Sequence, residues 1–140
     1  VIHGDGTITD TSTALMWKQC LEGLSGIQCQ SGILNETSWA GALSTPQTLN
    51  NSGGFSGYAD WRLPNIAELV SLVEEQCTDP AINEFVFPNT SKKFTWTGSP
   101  DYYNDTATWS VEFNVGATGS ITRETSISVN YPIRLVRSVN

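Results

Sequence analysis

Residues 60–76 constrain the fold more than any other stretch of this chain. They read Asp60-Trp61-Arg62-Leu63-Pro64-Asn65, followed by Ile66, Leu69, Val70 and Val73 at helical spacing. Asn65 offers a side-chain acceptor to the unpaired amides of a first helical turn. Glu68, three residues on, completes an approximate capping box. A helix is therefore predicted to start at Asn65, bury one stripe and end near Gln76. An arginine at such a loop-to-helix junction, between Trp61 and Leu63, is expected to stack on an aromatic ring and fork onto a carboxylate or carbonyls. That reading makes Trp61 and Arg62 structural and leaves ligand contact to other residues.

The remaining chain is predicted as strands, loops and one earlier helix. Gly4-Asp5-Gly6 turns into a strand at residues 7–9, and after a turn at 10–13 residues 14–18 pair back as a hairpin. A helix should begin around Thr37 with Trp39, Ala42 and Leu43 on one face. Pro46 should break or restart it near residues 44–46, because an interior proline deletes a hydrogen bond. Ile82, Phe85 and Phe87 are expected to dip into the core from an irregular, proline-bearing connection. Strands follow at 93–97 and 108–115. In the second, Trp109, Val111, Phe113 and Val115 should face inward and Thr108, Ser110, Glu112 and Asn114 should face water. A turn at 116–119, a return strand at 120–124 and a closing strand at 133–139 complete an α+β domain of residues 1–140 without repeat or linker. The terminal strands are expected to share one sheet.

Cys20 and Cys29 flank a glycine-bearing loop, an easy closure for a local disulfide. A zinc pair would want tighter spacing and more histidine than His3 alone. Cys77, the odd cysteine, is predicted to be a small buried apolar group. Ser and Thr number 31 against 21 charged residues, the look of an exported β-rich domain. Val1 opens directly into a turn-rich segment without a signal peptide, so the expectation is the mature form of a secreted or cell-surface protein. The net charge of −7, with only seven basic residues, argues against nucleic acid, anionic membranes and sulfated polymers. No apolar run approaches the length of a membrane span, so no membrane insertion is expected.

Catalytic chemistry is thinly supplied. The single histidine, His3, lies near a terminus, and no motif surrounds any serine or cysteine, so no catalytic residue is assigned. A facing carboxylate pair of the glycosidase kind is invisible to sequence and stays open. The richest segment for binding is the loop between Trp96 and Trp109, with Asp101, Tyr102, Tyr103, Asn104 and Asp105. Aromatic rings stack on the C–H faces of sugars, and amides and carboxylates bond their hydroxyls. Glu112 and Asn114 on the wet strand face, and Arg123 across the hairpin, are predicted to extend the same patch. The plainer alternative is a solvated loop. A calcium site on Asp101, Asn104 and Asp105 is a minor alternative; otherwise no cofactor is expected.

Read in order, Asp10-Thr11, Leu15-Met16-Trp17, the cysteine pair, Trp39, the 57–65 segment with Glu68-Leu69, Pro80-Ala81-Ile82-Asn83, Phe87-Pro88, Trp96, Trp109 and Arg134-Leu135-Val136-Arg137 resemble one family. It is the bacterial family named for the C-terminal domain of the Lcl collagen-like adhesin. The resemblance covers essentially the whole chain. It implies an exported domain with a C-type-lectin-like fold, two helices packed on a twisted antiparallel sheet with long loops. It also implies a scaffold role for residues 62–65, with the ligand surface late in the chain at about 96–124; Trp17, Trp61, Arg62, Pro64, Glu68 and Trp109 are together expected to be structural. The namesake's preference for sulfated glycosaminoglycans and its trimeric state imply a glycan partner and a possible homo-oligomer, although this chain departs in being acidic. The expected function is an adhesion module recognising glycan or a surface protein, with the subunit of a surface filament as the alternative.

Overall fold

The computed structural model describes residues 1–122 and 129–139. Strand β1 (Thr7–Asp10) and strand β2 (Leu15–Lys18) form the predicted hairpin, with Ile8 opposite Trp17. Asp10 folds the turn by accepting from the Ser12 amide at 2.9 Å and hydroxyl at 2.6 Å, the local capping that makes aspartate a turn residue. The last strand, β8 (Val136–Ser138), pairs with the other side of β2 and sets Val136 against Trp17. Both ends of the chain therefore lie in one sheet, as expected. The closing strand is shorter than predicted. Residues 133–135 instead give their carbonyls at Ile133 and Leu135 to the amides of Glu22 and Lys18, outside a regular ladder.

The Cys20–Cys29 disulfide forms, with Cα atoms 5.4 Å apart, and clamps the connection into β3 (Leu24–Ser25) and β4 (Ser31–Gly32). This hairpin requires glycine. A Cβ on Gly32, at φ +88°, would lie 2.2 Å from the Gly23 carbonyl oxygen, and one on Gly23 would lie 2.1 Å from that of Ile33.

Helix α1 (Trp39–Asn51) is capped by Ser38 rather than Thr37, and Pro46 lies inside it without a break. The Ser44 and Thr45 hydroxyls both bond the Gly41 carbonyl, and the buried proline ring joins a stripe of Trp39, Ala42, Pro46 and Leu49. Packing of that stripe outweighs the one backbone bond proline removes. Leu43, predicted on the inner face, lies outside the stripe and is exposed. Helix α2 (Ile66–Val70) has the full capping box, yet stops at five residues. The amides of Leu72 and Val73 bond three residues back, and the Glu74 amide turns to the Ala81 carbonyl, so the chain leaves the helix axis well before Gln76. Leu69 and Leu72 stay buried while Val70 is exposed; Phe85 likewise stands in solvent, with Ile82 and Phe87 inside. Cys77 is a free thiol and only half-buried.

Strands β5 (Phe94–Pro100), β6 (Ala107–Glu112) and β7 (Ala117–Thr122) form an antiparallel meander. Its central strand does not have a wet face. Directly paired residues share a side, so Ser110 lies with Trp96 and Thr108 with Ile121 against one core that includes Trp61, Ile133 and Leu135. Val111 and Phe113 belong to the second core, with Trp17, Leu69 and Phe87. Thr108 and Ser110 are consequently buried, and their hydroxyls are satisfied by the carbonyls of Ser99 and Gly119 at 2.7 and 3.0 Å. The turn comes earlier than predicted, at residues 113–116, which leaves Val115 exposed. Gly119 belongs to β7, where a Cβ would meet the Phe94 ring at 2.7 Å.

Candidate functional site

The junction predicted to be structural is assembled as a clamp. Trp61 is buried, its indole N–H shared between the Phe55 and Tyr58 carbonyls, and its backbone is held from both sides by the Asn50 amide. Arg62 forks onto Glu68 at 2.7 and 2.8 Å and also reaches the Ser138 hydroxyl in β8. Glu68 closes the capping box by accepting from the Asn65 amide at 2.9 Å. The pair sharpens both charges: Arg62 holds the Glu68 carboxyl below its ordinary value, and Glu68 raises the guanidinium. The fork is as predicted, while Arg134 and Arg137 are the arginines that lie over aromatic rings. Arg137 lies 4.0 Å from the Tyr58 ring centre and forks onto Asp60, and Arg134 lies 4.7 Å from that of Phe87. Pro64 is buried and accepts from the Gly98 amide; Trp17 is sealed in the core, and Trp109 is half-buried with its carbonyl bonded by Thr97.

Arg134 was not singled out by sequence reasoning. It is fully buried, with its guanidinium on the carbonyls of Lys18 and Gln19 and the Thr90 hydroxyl. Burial pushes its pKa down to about 9, countered in part by Glu22, so it stays a cation at neutral pH.

The predicted binding loop is a tight turn between β5 and β6. Asp101 is buried; its Oδ1 accepts from the Tyr103 amide at 3.0 Å and its Oδ2 from the Ser120 hydroxyl at 2.7 Å. Asn104 accepts from both the amide and the hydroxyl of Thr106. Backbone bonds from Asn104 to Asp101 and from Ala107 to Asn104 close the turn. Its apex carries Tyr102 and Tyr103, 90% and 99% exposed, with Asp105 exposed beside them.

The rest of the expected patch is not brought together. Trp96 is in the core, its indole N–H on the Thr37 carbonyl at 2.7 Å and its ring edge-on to Tyr131, so it cannot stack on a ligand. Glu112, at the far end of β6, lies roughly 17 Å from the turn at strand rise, and Asn114 lies in the turn beyond it, because the strand that leaves the first turn runs away from it. Arg123 lies outside the described residues. Among the described residues no three His, Cys, Asp or Glu side chains group as metal ligands. Both Asp101 oxygens are already taken by protein donors. His3 is exposed and bonded to the Thr9 hydroxyl.

A second feature was invisible in sequence. An open cavity of about 580 Å³ lies beside the disulfide, walled by Ile2, Gly6, Leu24, Ile27 and Phe55. Lys18 reaches its wall over the Phe55 ring but is neutralised by Glu22 at 2.5 Å.

The chain is a disulfide-clamped α+β domain with its ends joined in one sheet and two tyrosines exposed on a turn. Comparison with known families gives it a place. The chain belongs to the Lcl C-terminal domain family, whose profile matches residues 6–137. That family is adhesin-associated and is not known as enzymatic. No match is found among curated proteins. No described helix is long and apolar enough to cross a membrane.

Proposed function

We propose that this domain is an extracellular adhesion module that recognises neutral or basic glycans through the Tyr102–Tyr103 turn. One observation carries the reading. Two adjacent tyrosines stand almost wholly in water on a turn fixed from inside by the buried Asp101. A turn backbone held in place loses little entropy on binding, and preorganisation of this kind favours affinity. Asp105 and Asn104 flank them with polar groups for sugar hydroxyls. Pairing of both chain ends in one sheet, with the ligand surface on late loops, also fits the C-type-lectin-like arrangement that the family resemblance implies. Calcium is not required in this reading, since the Asp101 and Asn104 acceptors are engaged by protein donors.

A glycan array with wild type beside a folded Tyr102→Ala, Tyr103→Ala double mutant tests it. Loss of an aromatic anchor costs about 2 kcal/mol, so binding should weaken by about 30-fold or more. It should survive EDTA, and heparin should bind no better than neutral glycans. Equal binding by both proteins refutes the turn as the site. The alternative is a subunit of a surface filament, in which neighbouring copies would cover Ile27, Ile33 and Phe85, each at least four-fifths exposed. Large assemblies in native mass measurements without any glycan binding would select it.

A further inference from the structure

The open cavity of about 580 Å³ beside the disulfide falls in the size range of ligand pockets, and Ile2, Leu24, Ile27 and Phe55 make its wall chiefly apolar. It adjoins an open sheet edge. Residues 1–3 lie antiparallel to β1 about the Ile2–Ile8 bridge, with the His3 amide on the Thr7 carbonyl at 3.1 Å and the Thr9 amide on that of Val1 at 2.8 Å. Successive residues of a strand point their backbone groups to opposite edges, so bonding by residues 1 and 3 turns the Ile2 N–H and C=O outward. Neither group has a partner among the described residues, and an unpaired edge is a template for another strand. The charges at the cavity do not cancel either. Lys18 is answered by Glu22 at 2.5 Å, whereas Asp5 has no ion pair among the described residues. The Thr7 hydroxyl and amide bond Asp5 Oδ1 at 2.6 and 3.0 Å and hold that carboxyl below its ordinary value, so it stays an anion.

We infer that this cavity and edge together receive one extended, basic peptide strand of a partner protein. The strand's backbone pairs with the Ile2 N–H and C=O, and one apolar side chain enters the cavity. A basic side chain two residues along, and so on the same face, meets Asp5. A lipid chain would fill the wall but leave the edge unpaired. An anionic ligand would meet Asp5 with Lys18 already neutralised. The site shares no residue with the Tyr102–Tyr103 turn and stands independently of the function proposed for it.

The probe is the synthetic peptide acetyl-Ser-Thr-Leu-Thr-Arg-Thr-Ser-amide, added to the whole chain and followed by nuclear magnetic resonance. The Leu24 and Ile27 methyl peaks should move and saturate as the leucine enters the cavity, and exchange of the Ile2 amide with water should slow as the strand pairs. A fully N-methylated analogue has no backbone N–H to give and should bind about tenfold weaker. Asp5→Asn keeps the acceptor that Thr7 uses and removes the charge. It should weaken the arginine peptide about threefold, and leave a peptide with glutamine in place of arginine unaffected. Ser25→Trp, at an exposed position on the cavity wall, should block the peptide, while the Tyr102→Ala, Tyr103→Ala protein should bind it like wild type. Methyl peaks unmoved by the peptide, movement without protection of Ile2, equal binding of the N-methylated analogue, or an unaffected Ser25→Trp or Asp5→Asn variant would each overturn the assignment. So would a dimer in native mass measurements that protects Ile2 without peptide, since the occupant would then be a second copy of the chain.

Discussion

Arg62 forks onto Glu68 while 41% of its side chain remains exposed, whereas Arg134 is sealed from solvent among carbonyls and a ring. Water screens the first pair and cannot replace the partners of the second. Arg62→Ala should cost about 1–2 kcal/mol, between the values for exposed and buried pairs. Arg134→Ala leaves the Lys18 and Gln19 carbonyls and Thr90 without their donor and should cost about 3–5 kcal/mol. Thermal or urea unfolding of the two variants measures the order, and an Arg62 variant less stable than the Arg134 one would reverse the argument. Arg62 was legible because a loop-to-helix junction and its capping glutamate are local. Arg134 was not: alternating with Ile133 and Leu135, it reads as the wet side of a strand, and only the chain packed over it reveals otherwise. Of the cysteines, Cys20 and Cys29 are bonded and Cys77 is free. Alkylation of the denatured, unreduced protein should therefore label Cys77 alone; label on Cys20 would break this assignment.

At the scale of elements, what the sequence made legible was the local caps and closures. Asn65 with Glu68, Asp10 with Ser12 and the cysteine loop all act within a few residues, and each is found where the residues place it. Element ends and second faces depend on distant chain. Helix α2 ends where Glu74 meets Ala81, and Thr108 and Ser110 are buried because the Trp96 and Ile121 side of the sheet is covered as fully as the other. The segment between Trp96 and Trp109 was legible as a loop between two strands, and Tyr102 and Tyr103 are exposed on it. Trp96 lies in the core, and Glu112 and Asn114 lie away from that turn, because strand direction and burial are not local properties. The β3–β4 hairpin gives a test that separates crowding from backbone strain. Gly57 and Gly32 both have positive φ, but a Cβ at Gly57 meets nothing within 4 Å while one at Gly32 strikes backbone. Gly57→Ala should cost about 1 kcal/mol from the left-handed conformation alone. Gly32→Ala adds a backbone clash no rotamer relieves and should cost distinctly more. Equal melting temperatures for the two would show that this hairpin relaxes freely.

Across the whole molecule the balance of charge governs how acid unfolds it. The chain carries 14 acidic and seven basic residues, and among the described residues four carboxylates are held below their ordinary values by the native structure. Hydroxyl donors do this for Asp5, from Thr7, and for Asp10, from Ser12; guanidinium partners do it for Asp60, from Arg137, and for Glu68, from Arg62. Each group binds its proton more weakly when folded than when unfolded. Its stabilisation is therefore complete above the unfolded values of 3.8 for aspartate and 4.5 for glutamate, and is lost as pH falls through the lower folded values. Self-repulsion of the net negative charge acts in the opposite sense, since mild acid and added salt both relieve it. The melting temperature should accordingly hold or rise slightly from pH 7 to about 5, then fall steeply below about 4. Glu68→Gln retains an acceptor for the cap while removing the charge that Arg62 stabilises, so it should lower the neutral plateau and flatten the acid limb together. Calorimetry across that range decides the matter. A melting temperature that already drops between pH 7 and 5, or a Glu68→Gln variant with an unchanged acid limb, would mean that other groups control the transition.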